Sequence, residues 1–146
     1  MSETNAELEA LAQDERVTLS RDVLRFNDCD SLGHVNNVVY ATLCESGRVR
    51  FLEERLRPVL GPSRLFVIVK LAIDFEAELF YPGDVVTATW ASRLGTTSFT
   101  MDQAIFGAGK RAARAQGVCV TLDPATRRPA PVEGEARAAL ERLLRV

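Results

Sequence analysis

The stretch NDCDSLGHVNNVVY, from Asn27 to Tyr40, brings together the side-chain types of a reaction centre. It holds the chain's only histidine, His34, with Asp28, Asp30, Gly33 and the adjacent amides Asn36 and Asn37. A carboxylate can attack an electrophilic carbon or take a proton from water. An apolar helical pattern follows, so the stretch should end in a helix start. Free backbone N–H groups and the positive end of the helix dipole favour an anion there, or a carbonyl oxygen turning into one. Gly33 allows a chain or ligand to come close. Each residue also has a structural role open to it: Asp28 and Asp30 as turn caps, Asn36 or Asn37 as the N-cap, His34 as a hydrogen-bonded structural histidine. A cap alone does not require so many of them. One carboxylate beside a polarising helix end is a sparse apparatus, suited to a bond that breaks easily.

Other chemistries lack their residues. A single His and scattered cysteines offer no metal-ligand set. A Ser-His-Asp triad would have to recruit Ser31 or Ser46, and there is no G-x-S-x-G elbow. GAGK (Gly107–Lys110) resembles a phosphate loop but reads as a turn between strands. A net charge of −2 gives no reason to expect nucleic acid or an anionic membrane as partner. No apolar run reaches the ~18–20 residues of a membrane span. Cys29, Cys44 and Cys119 are odd in number without CxxC spacing, and no signal-like segment opens the chain. We therefore expect free thiols and a cytoplasmic location.

The elements that must position the polar stretch follow from periodicity. Residues 1–15 are expected to be a loose or frayed tail, and 16–146 a single domain. Arg16–Phe26 reads as a strand. The helix is expected from about Asn36 to Arg57, halted by Pro58 and Gly61. Val38, Ala41, Glu45, Val49, Leu52 and Leu56 share one helix stripe, and Val35, Val39, Leu43 and Phe51 cover much of the rest. A helix so apolar should be enclosed. Glu45, inside the stripe, then needs a partner such as Arg48 or a place in the site. Strands are expected at Val69–Ala77, Asp84–Leu94, Thr97–Phe106 and Arg111–Leu122, with hairpin-length gaps and thus antiparallel. GEARAALERLL reads as a short C-terminal helix. The fold class is α+β: a curved antiparallel sheet wrapped around one long helix.

RFNDCDSLGHVNNVVYATLCESGRVRFLE (Arg25–Glu53) resembles the signature of the 4-hydroxybenzoyl-CoA thioesterase branch of the hotdog-fold acyl-CoA thioesterases. The likeness rests on D-x-D-x-x-G-H-V-N-N, on Tyr40 and on E-x-G-R at Glu45–Arg48, and extends loosely through VKLAIDFEAELFYPGD. The resemblance implies a long helix wrapped by an antiparallel sheet. It implies Asp30 as catalytic nucleophile or general base, and the Asn37 backbone N–H as donor to the thioester carbonyl. Gly33, His34, Asn36 and Tyr40 become substrate-binding positions, with Glu45 a second catalytic candidate. An acyl-CoA or acyl-carrier-protein thioester is the implied substrate, with no cofactor beyond the coenzyme A it carries. A homodimer, or a tetramer built from two, is implied, with Arg93, Arg127 and Arg128 as candidates for the coenzyme A phosphates. Two other readings remain: an enoyl-thioester hydratase or dehydratase using Asp30 with His34, and a non-catalytic acyl-CoA or carrier-protein binding module.

Overall fold

The computed structural model of the protein describes residues 5–60 and 64–146. Helix α1 (Ala6–Gln13) is followed by strand β1 (Thr18–Val23), a 3-10 turn (Phe26–Asp28) and helix α2 (Asn37–Phe51). A π-helical turn (Leu52–Leu56) carries α2 directly into α3 (Arg57–Leu60). Then come β2 (Leu65–Phe75), β3 (Asp84–Leu94), β4 (Ser98–Gly107), β5 (Lys110–Leu122) and α4 (Gly134–Leu143). The strands form one sheet in the order β1-β3-β4-β5-β2, every neighbouring pair antiparallel. α2 packs on β1, β3 and β4. This is the α+β hotdog arrangement that the sequence leads one to expect.

Two features of the long helix depart from expectation. It passes Pro58, because the π turn bonds the Arg57 N–H to the Leu52 carbonyl and widens the coil just ahead of the proline. Gly61, the other expected stop, lies outside the described residues. The face buried on the sheet is also different: Tyr40, Leu43, Cys44, Gly47, Arg48 and Phe51. Most of the expected stripe points outward instead, with Val38 70% and Val49 51% exposed and Glu45 in solvent; its last member, Leu56, is buried at the end of the π turn. Gly47 decides the orientation. A Cβ there would lie 2.8 Å from both Gln103 Nε2 and Thr89 Oγ1, so only a glycine lets the helix settle this deep. Burying a side chain such as Phe51 or Leu43 contributes about 1.5–3 kcal/mol each.

The helix divides the inner core. Near its start, Leu24, Val35, Tyr40, Leu43, Leu79, Val85 and Ile105 pack together. Near its end, Phe51 and Leu56 meet Phe99, Met101 and residues of α4. On the outer face, α1 is a capped helix: Asn5 Oδ1 accepts the Glu7 and Leu8 N–H groups. Its Leu8 and Leu11 cover Ala88, Ala104 and Phe106. β2 is an edge strand with a bulge between Ile68 and Lys70. The extra residue puts Ile68, not Val69, opposite Cys119, in the inward row with Leu71, Ile73 and Phe75.

Candidate active site

The polar stretch is a loop pinned at both ends. After β1, the Leu24 N–H donates to the Gly83 carbonyl at 2.9 Å. Asp28, buried, then receives the Arg25 backbone N–H at 2.8 Å and its guanidinium at 3.1 Å, closing the 3-10 turn. Cys29 and Val35 form an antiparallel bridge. Across it the Asp30 N–H donates to the His34 carbonyl at 2.9 Å, and the Gly33 N–H to the Asp30 carbonyl at 3.1 Å. Gly33 has φ +86°, a left-handed conformation that side chains adopt at a cost. Buried Val35 anchors the loop through its N–H on the Leu79 carbonyl, 2.8 Å away.

Helix α2 starts from this anchor. Asn36 is the N-cap: its Oδ1 accepts the Val38 N–H at 3.0 Å, and its carbonyl accepts the Val39 N–H at 2.9 Å. The Asn37 N–H has no acceptor among the described residues. It is a fixed donor at the positive end of the helix.

The Asp30 carboxylate stands at the loop tip, with its side chain 27% exposed. One oxygen accepts the Leu32 N–H at 2.9 Å; the other lies 3.5 Å from His34 Nδ1. His34 Nε2 in turn lies 3.6 Å from Glu78 Oε1, and its ring meets Phe80 edge-on. Sequence reasoning does not single out Glu78 or Phe80. They lie more than forty residues from His34 in a segment that reads as strand and turn, and nothing local marks them.

The structure thus gathers Asp30, Gly33, His34, Asn36 and Asn37. Tyr40 is not at the tip but buried below it, its hydroxyl donating to the Ala77 carbonyl at 3.0 Å and its ring against Phe75. Burial raises its phenol pKa. Glu45 lies eight residues past Asn37, about 12 Å along the axis. It is exposed, and no ion pair found among the described residues includes it; the expected partner, Arg48, faces the sheet. Arg127 and Arg128 follow the far end of β5, roughly 30 Å of strand from Ala113 at the site end. Arg93 is exposed near the end of β3. Among the described residues no group of three or more His, Cys, Asp or Glu could hold a metal ion. None of their helices is long and apolar enough to cross a membrane.

The surroundings of the tip are apolar and open. Phe26 is 78% exposed, set edge-on to Tyr81, and Leu32, Val38 and Phe80 are also exposed. A cavity of about 260 Å³ lies at the opposite end of the helix, lined by Leu56, Val59, Phe66, Val132 and Leu140. It is remote from the carboxylate.

A capped helix presenting one free amide, entered from a pinned loop that carries a carboxylate, on a helix-and-sheet hotdog fold, defines a class. The thioesterase-like superfamily model matches residues 24–140, and the chain belongs to that superfamily. A thioesterase-superfamily structure from Jannaschia sp. CCS1 is similar at 30% identity and a TM-score of 0.80, covering 95% of this chain and 91% of that one. A thioesterase from Thermus thermophilus, solved with coenzyme A and Zn, is 30% identical with a TM-score of 0.76, over 88% of this chain and 93% of its own. A protein from Bacillus stearothermophilus, described as a predicted thioesterase, reaches a TM-score of 0.79 at 25% identity, over 88% and 96%. No curated protein matches the sequence.

Proposed function

We propose that the protein is an acyl-CoA thioesterase, hydrolysing an acyl-CoA thioester to the free acid and coenzyme A. Asp30 supplies the carboxylate, as nucleophile or as base to a water, and the Asn37 N–H donates to the carbonyl oxygen. The observation that carries this reading is the unaccepted Asn37 amide at a capped helix start, which follows directly on the pinned loop that carries Asp30. As oxygen adds to the carbonyl carbon, charge collects on the carbonyl oxygen, where a fixed amide is worth about 3–4 kcal/mol. The C–S bond then breaks, giving the free acid where water attacked, or an anhydride on Asp30 that water hydrolyses to the acid and the restored carboxylate. A thiolate leaves readily, with a thiol pKa near ~8.5, so no strong general acid is needed.

Coenzyme A as carrier is supported by the similar Thermus thermophilus thioesterase, whose structure contains it. Within the superfamily, D-x-D-x-x-G-H-V-N-N supports the 4-hydroxybenzoyl-CoA thioesterase-like branch. The assembly we propose is a homodimer joined along β2. That edge strand leaves Ile68, Leu71 and Phe75 exposed, as Val38 and Val49 are on α2, and an uncovered apolar edge is a liability. A two-fold axis at this edge runs the second copy's β2 antiparallel to the first. It brings the Arg127–Arg128 loop of one copy toward the Asp30 end of the other, where phosphates of coenzyme A could meet it.

The test is free-thiol release from a panel of acyl-CoAs by the wild type and Asp30→Asn. An undiminished rate in the folded variant removes Asp30 from the mechanism. The closeness of His34 to Asp30 keeps the hydratase reading as the second choice. Loss of enoyl absorbance without thiol release selects it instead.

A further inference from the structure

Arg48 lies on the sheet side of α2 and is 6% exposed. Its guanidinium carries five N–H donors and a permanent charge. Among the described residues it makes one hydrogen bond, from Nη1 to Gln103 Oε1 at 3.4 Å. That acceptor is neutral and held in place: Gln103 Nε2 donates to the Cys44 carbonyl and to Thr89 Oγ1, both at 2.9 Å. No ion pair of the described residues includes Arg48. Its neighbouring thiols, Cys44 and Cys119, are pushed up to about 11 by burial and stay neutral. Arg111, by contrast, is far less buried and has Glu76 at 2.6 Å as well as Glu7. A buried cation without a counter-charge is costly unless one arrives from outside the fold.

The surroundings indicate where it arrives from. The Arg48 stem runs over Gly117, its Cδ 3.5 Å from where a Cβ would stand, with Ile68 Cδ1 3.2 Å from the same point. Gly117 is paired with Leu71 of β2. Arg48 thus borders the apolar inner face of β2, where Ile68, Leu71 and Phe75 are exposed. That face continues through Phe75 to Tyr40, below the catalytic loop. Arg48 comes eleven residues after Asn37, about 16 Å along the axis, and helical side chains lean back toward the helix start.

We infer that Arg48 binds a carboxylate at the far end of the acyl chain, so that the preferred substrates are thioesters of dicarboxylic acids. This rests on the thioesterase reading of the Asp30 loop. A guanidinium grips a carboxylate through two parallel N–H bonds, replacing the missing counter-charge. An acyl chain spanning roughly 10 Å or more from carbonyl to guanidinium favours suberoyl and sebacoyl over succinyl groups.

The experiment compares sebacoyl-CoA with decanoyl-CoA, equal in chain length and differing in the terminal carboxylate, using wild type, Arg48→Met and Arg48→Lys. The wild type should prefer sebacoyl-CoA by about tenfold or more in kcat/KM. Arg48→Met should lose the preference and Arg48→Lys keep part of it. Equal or reversed preference in a wild type that does hydrolyse decanoyl-CoA overturns the inference and leaves the thioesterase reading standing. The second measurement needs no turnover: sebacate, but not decanoate, should raise the melting temperature of the wild type and of Arg48→Lys, and not of Arg48→Met. No shift in the wild type, or an equal shift in Arg48→Met, overturns the inference whatever the activity. If no thioester is cleaved, the thioesterase reading falls and this shift alone decides. If Arg48→Met does not fold, the wild-type comparison of the two acids decides.

Discussion

The Asn36 N–H donates to the Asp28 carbonyl at 2.8 Å, so the residue that caps the long helix is tied to the one that closes the turn before the loop. Between them the chain leaves and returns to one point, and Asp30 and the Asn37 amide are fixed relative to each other.

Replacing Asp30 with Asn should keep the Leu32 N–H bond to its side-chain oxygen and therefore the fold. Thiol release should fall by roughly a hundredfold to ten-thousandfold, with a melting temperature close to the wild type's. Steady-state kinetics beside a thermal melt checks both halves.

The Asn37 donor is a backbone group, and proline can delete it. Asn37 is the first helical residue, where proline is tolerated. Asn36, at φ −61° and ψ 140°, already has the conformation required before a proline. Asn37→Pro should leave the helix intact by circular dichroism while kcat drops by about a hundredfold to a thousandfold. A variant with full activity would assign the donor elsewhere.

Two glycines should be sensitive to substitution for different reasons. Gly47→Ala places a methyl 2.8–2.9 Å from Gln103, Thr89 and Thr87, and should destabilise by about 1–3 kcal/mol through overpacking. Gly33→Ala meets nothing within 4 Å and suffers only its positive φ, about 1 kcal/mol. Denaturant melts separate them. Gly33→Asn, which tolerates that conformation better, should recover part of the loss, whereas no side chain rescues Gly47.

Asp14 is held well below the usual carboxylate range, chiefly by its side-chain hydrogen bonds from Arg16 and the Arg16 backbone N–H, with Arg145 adding to them. A carboxylate whose folded pKa is depressed stabilises fully above its unfolded value, near ~3.9, and loses that contribution as pH falls toward the folded one. Asp14→Asn should therefore lower the melting temperature at pH 7. The difference from wild type should shrink below about pH 4. A gap as wide at pH 2 as at pH 7 would contradict the ion-pair account.

How far the sequence carries can be seen at single residues. β3 was legible to its ends, because DVVTATWASRL alternates between two buried faces. The loop was legible as a cluster, because turn, cap and carboxylate are all local in the chain. The orientation of the helix was not. Its circumference is apolar on two sides, and periodicity cannot tell the side that meets its own sheet from the side left bare. Gly47, which carries no hydrophobic signal, settles it through the space it leaves under Thr89 and Gln103. The bulge at Val69 and the approach of Glu78 to His34 were hidden for a related reason: each depends on a partner strand or segment distant in the chain.

The fastening of Asp28 to Asn36 makes the proposed reacting groups a cassette carried by one short run of sequence, while the walls of the proposed acyl groove come from β2, β5 and the flank of the helix. The two are separable in heredity. On the proposed function, substitutions at positions such as Ile68, Leu71 or Gly117 should retune which acid is accepted without disturbing how its bond is broken, so a lineage built on this plan can change diet while keeping its teeth.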